Sequence, residues 1–68
     1  MNEVTNFMYW CYNKLNEQEL IAVFGQNLGK HLFQKWAAFK CDSLRWYADL
    51  DRASKQKVVD RANHFYGK

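Results

Sequence analysis

The chain has 68 residues, 49% of them hydrophobic, 18% aromatic and 25% charged, with no proline and three glycines. A chain of this size buries only about 60% of the surface it exposes when unfolded, which fits one small domain (1–68) and excludes the large α/β enzyme folds. Formal net charge is +3, placed unevenly: residues 1–34 carry two Lys against three Glu, and residues 35–68 carry eight Lys and Arg against four Asp.

Apolar side chains recur at intervals of three and four rather than two, which is the rhythm of amphipathic helices. The first segment, about residues 3–15, places Val4, Phe7, Met8, Cys11, Tyr12 and Leu15 on one broad face, with Tyr9 and Trp10 pointing away from it. Asn16 followed by Glu19 reads as a capping box that opens a short second helix with Leu20, Ile21, Val23 and Phe24 inward. Gly25 stands where a left-handed terminal residue ends that helix. Asn27 then caps a third helix, about residues 28–40, whose tight stripe is Leu28, Leu32, Trp36 and Phe39. Gly29, one turn in, either weakens this helix or lets another backbone approach closely.

Asp42 caps a short turn of helix running through Ala48, with Leu44 and Tyr47 inward and Trp46 facing away. Asp51 caps the last helix, about residues 52–66, with Leu50 before it as a hydrophobic staple. Val58, Val59, Ala62, Phe65 and Tyr66 form its buried face. The expected fold class is all-α: a compact bundle of four main helices, with a short fifth helical element between the third and the last.

A search for chemistry gives little. Cys11, His31, Cys41 and His64 are separated by 19, 9 and 22 residues, without the closely paired ligands of common structural zinc sites. No nucleophile elbow, zinc-protease helix or glycine-rich phosphate loop is present. Asp49 and Asp51, like Glu17 and Glu19, are explained by helix starts and turns. The expectation is a chain that is not an enzyme, with no catalytic residues, no metal and no small-molecule cofactor.

Two cysteines make no disulfide framework and read as reduced thiols. No secretory leader is legible at the amino end, and the apolar stretches fall well short of the roughly 20 residues a membrane helix needs. A cytoplasmic protein without membrane association is expected.

Two surfaces remain. Large aromatics left outside a core gain by burial against a partner, so Tyr9, Trp10 and Trp46 are the expected anchors of a protein interface. On that reading the chain is a noncatalytic protein–protein interaction module. It is a small regulator, inhibitor or assembly subunit that acts by occlusion or scaffolding on a protein partner or a second copy of itself. Replacing Trp10 by Ala is then expected to weaken partner binding and spare helicity.

The alternative is a DNA- or RNA-binding protein that uses the basic face of the last helix. Lys57, Arg61 and His64 form one ridge there, Arg52 and Lys55 add charge near the helix start, and Lys35, Lys40 and Arg45 widen the patch. Asp60, three residues from Lys57 and four from His64, equally suits an ordinary salt-bridged solvent face.

Overall fold

A computed structural model describes residues 3–67. They form five helices and the fold is all-α: α1 (Glu3–Asn13), α2 (Glu17–Phe24), α3 (Gln26–Ala38), α4 (Ser43–Asp49) and α5 (Arg52–Tyr66). Contacts divide the chain into two compact units. In one, α1 packs with α5; the other, Asn16–Leu50, holds α2, α3 and α4.

Local chemistry sets the helix starts. Asn16, Asp42 and Asp51 are extended at the three N-caps. Each side chain accepts from the backbone N–H three residues on: Glu19 at 2.8 Å, Arg45 at 3.2 Å and Ser54 at 2.8 Å. Each bond satisfies a donor that the first helical turn leaves without a partner. Asn27 does not cap α3. Gly25, at φ +92°, closes α2 by donating to the Ile21 carbonyl at 2.8 Å. It also starts α3 by accepting from Gly29 N–H at 2.8 Å, which leaves Asn27 inside the first turn.

The α2–α3 pair depends on Gly29. A Cβ there would lie 2.6 Å from both Cα and N of Ile21 and 2.8 Å from the carbonyl carbon of Leu20. All three atoms are backbone, so of the two roles expected for this glycine the structure shows close approach. Leu32 is buried below it, with Trp36 and Phe39 half-buried, while Leu28 is exposed. The Lys35 ammonium meets the Asp49 carboxylate at 2.5 Å and ties α3 to α4.

α3 ends in a Schellman arrangement: Lys40 N–H donates to Ala37 O at 2.9 Å and Cys41 N–H to Trp36 O at 3.0 Å. Lys40 and Cys41 both take positive φ, 57° and 61°, a region that costs L-residues with side chains about 1–2 kcal/mol each.

α4 keeps Tyr47 on its inward side, as expected, but exchanges Leu44 for Trp46. Trp46 is buried, at 1% exposure, and Leu44 is exposed. The indole N–H donates to the Leu32 carbonyl at 3.0 Å, so the large ring is buried without stranding its donor. Ser43, Trp46, Tyr47 and Leu50 make the inward line, and Ser43 Oγ accepts from Trp36 Nε1 at 3.2 Å.

α1 is also turned from the expected face. It buries Asn6, Phe7, Trp10 and Cys11, leaving Val4 and Tyr12 exposed and Met8 half-buried. Trp10 is 0% exposed. Asn6 is buried because its Nδ2 donates to Asn63 Oδ1 on α5 at 2.8 Å. A count of apolar positions gives no weight to such a pair. On α5, Ser54, Val58 and Ala62 are buried, and Val59, Phe65 and Tyr66 are half-buried.

Two outcomes follow from these local geometries. Gly29→Ala should destabilise the protein by about 1–3 kcal/mol, because backbone must move to admit the methyl group. Denaturant unfolding measures this, and an unchanged midpoint would contradict the close approach.

The Ser54 backbone N–H and then the Ser54 hydroxyl hold the Asp51 carboxyl below its ordinary range; desolvation opposes them, and the charge of Lys57 adds the smallest effect. A lowered folded-state pKa means the contribution is complete above the unfolded carboxyl's value, about 3.9. It disappears as pH falls through the lower folded value. Wild type should therefore lose stability relative to Asp51→Asn, which still caps but does not titrate, as pH falls from about 5 to below the unfolded carboxyl's value. Parallel stability curves for the two proteins would exclude this role.

Candidate functional site

The outer face of α1 emerges from the turn just described. At 100° per residue, the four buried side chains centre nearly opposite Tyr12, roughly 170° round the helix. Met8 and Tyr9 flank Tyr12 on either side, and Val4 extends the face toward the helix start. Tyr12 is 78% exposed, Val4 67% and Tyr9 43%. Three large side chains of one helix thus stand in solvent while its opposite side is packed.

Tyr9 leans on a second aromatic group from α5. Its ring centroid lies 5.7 Å from that of Tyr66, and Tyr66 lies 6.2 Å from Phe65. Two cations sit over the Phe65 ring, the Lys14 ammonium at 4.7 Å and the Arg61 guanidinium at 4.8 Å from its centroid. His64 meets Phe65 edge-on at 5.1 Å. The result is a run of rings that leads from the α1 face to two fixed positive charges.

Of the three expected interface anchors, only Tyr9 is at the surface. Trp10 and Trp46 are buried and hold their helices in place. The reason is size: each indole removes a large apolar area from water, and Trp46 satisfies its N–H inside. Val4, Met8 and Tyr12 were assigned to the core and lie on the outer face instead. The signal for this was present in α1, where Phe7, Trp10 and Cys11 keep a three-and-four spacing that leaves Val4, Met8 and Tyr12 outside it, Phe7 and Cys11 being common to both faces.

Lys57, Arg61 and His64 share one face of α5, but the other basic residues do not extend it. Lys57 and His64 are exposed on α5, whereas Arg61 is half-buried over Phe65. Arg52 is exposed at the helix start and Lys55 is half-buried on the opposite flank from Lys57. Asp60, between them, accepts from Gln56 Nε2 at 2.8 Å. Lys35, Lys40 and Arg45 belong to the other unit, where Lys35 is paired with Asp49 and Lys40 and Arg45 are exposed.

Cys11 is buried and Cys41 exposed, both as free thiols, and His31 is exposed on α3. Among the described residues no group of three or more His, Cys, Asp or Glu side chains is placed to hold a metal ion. No helix among them is long and apolar enough to cross a membrane. No family model, curated protein or solved structure matches the chain.

The two sides of α1 should respond differently to truncation. Trp10→Ala is expected to cost about 3–5 kcal/mol, and Tyr12→Ala to stay within about 0.5 kcal/mol. Chemical denaturation of both variants checks this. Equal losses would mean that Tyr12 is packed rather than exposed.

Proposed function

We propose that the protein is a noncatalytic protein-interaction module whose contact surface is the outer face of α1. The observation that carries this reading is the exposure of Val4, Tyr9 and Tyr12 together on one helix. Scattered apolar residues are ordinary on a protein surface, but a contiguous set on a packed helix gains free energy when a partner covers it. Tyr is also well suited to the task, because it offers a large apolar area with a polar tip at low conformational cost. The protein acts by occupying or bridging a partner's surface, as a small regulator, inhibitor or assembly subunit.

The test pairs fold with binding. Val4→Ser/Tyr12→Ser should keep the wild-type circular dichroism spectrum and unfolding midpoint, since both side chains are already in water. Affinity capture from native lysate after nuclease treatment should recover a protein partner with wild type and lose it with this variant. Capture that is undiminished in the variant removes the α1 face from the proposal. Capture that disappears with nuclease replaces the protein partner by nucleic acid.

A further inference from the structure

We infer that the chain exchanges arms with a second copy of itself: the corner between α3 and α4 straightens into one continuous helix, and α4, with α5 behind it, docks on the second copy. This goes beyond the α1 surface and does not depend on it. The corner is strained. Lys40 and Cys41 stand in succession at φ 57° and 61°, where a Cβ crowds the backbone and glycine is the usual occupant. Both would be relieved by a return to right-handed helix. No proline or glycine lies between residues 30 and 66, so no residue there breaks a helix that runs through the corner.

The side chains already keep the register of that longer helix. Leu32, Trp36, Phe39, Ser43, Trp46 and Leu50 follow one another at intervals of 4, 3, 4, 3 and 4. On a single helix they would share an arc of about 80°, and all six are buried or half-buried. Lys30, Gln34, Ala37, Cys41, Arg45 and Ala48 would line the opposite side, and all six are exposed. Two helices joined by a turn have no need of a common register across it. These two have the inner and outer faces of one helix folded at its middle.

Straightening exchanges backbone bonds rather than removing them. Lys40 and Cys41 donate to the Ala37 and Trp36 carbonyls at the corner; in a continuous helix they would donate to Trp36 and Ala37 instead. The Asp42 cap is given up. So is the hold of α4 on α3, where Trp46 Nε1 meets the Leu32 carbonyl and Lys35 meets Asp49. The surface thus uncovered is complementary to α4, so its occupant is the α4 of a second copy, and both contacts re-form between chains. The packing of α5 with α1 re-forms in the same way. The dimer keeps the contacts of the monomer and sheds the strain of the corner, the condition under which protomers exchange elements.

The full chain, refolded from denaturant at millimolar concentration, tests this. Sedimentation should show a dimer that is absent at high dilution. When isotope-labelled and unlabelled dimers are combined, native mass spectrometry should find mixed dimers only after partial unfolding, because α4 and α5 must leave one copy before they enter another. Lys40→Gly/Cys41→Gly accepts positive φ freely and should weaken dimerisation at equilibrium by about tenfold or more. Lys40→Ala/Cys41→Ala keeps both β-carbons and should dimerise at least as well as wild type. A chain that stays monomeric at millimolar concentration overturns the inference. So does a dimer that mixes within seconds under native conditions, or one lost in Val4→Ser/Tyr12→Ser and indifferent to the glycines, since either is a surface association.

Discussion

Asn6 donates from Nδ2 to Asn63 Oδ1 within a buried setting, while its own Oδ1 has no hydrogen-bond partner among the described residues. The pair is therefore a weak source of net stability, because an unsatisfied buried acceptor costs about 1–3 kcal/mol. Its effect is directional. Another rotation of α1 about its axis would break the bond between the two amides, so the pair favours this side of the helix against α5. Phe7, Trp10 and Cys11 supply the apolar burial that makes this placement favourable. What remains outside is set by the same choice: Met8, Tyr9 and Tyr12 are exterior because Asn6 and Trp10 are interior.

The second unit solves a similar problem with a different donor. Trp46 is buried against a backbone carbonyl of α3, and Trp36 reaches Ser43 across the same helix pair. Both indoles thus carry an apolar payload inward and use their one polar atom to fix orientation. In each unit a hydrogen bond picks the inward face, and hydrophobic burial provides the driving force.

This explains what the sequence made legible. Helix starts at residues 17, 43 and 52 depend on the side chain immediately before them, and Asn16, Asp42 and Asp51 announce them without reference to distant residues. The faces of α3 and α5 were also readable, since Leu32, Trp36, Val58 and Ala62 are apolar and inward. The faces of α1 and α4 were legible only in part: Phe7, Cys11 and Leu15 are buried and Tyr47 half-buried as read, but Val4, Tyr12 and Leu44 are exposed. Asn6 counts as polar until Asn63 is beside it, and Trp46 counts as a surface ring until Leu32 offers a carbonyl. Asn27 failed as a cap for a related reason, because Gly25 lets α3 begin two residues earlier. Of the expected anchors, Tyr9 was legible as a surface residue. Tyr12 was hidden by a stripe that satisfied the spacing rule equally well.

Gly25 also bears on how this chain tolerates changes of length. Connections between helices ordinarily absorb insertions and deletions because their residues lie on the surface and make few obligatory contacts. The corner between α2 and α3 has a single residue, whose N–H belongs to one helix and whose carbonyl belongs to the next. Adding one amino acid at this corner would swing every side chain of α3 by about 100° and advance it by about 1.5 Å. Gly29 would then leave the Ile21 backbone, and a bulkier neighbour would arrive in its place. Length variation is therefore better accommodated between α3 and α4 than at this joint, where the spacing from Ile21 to Gly29 behaves as a fixed unit.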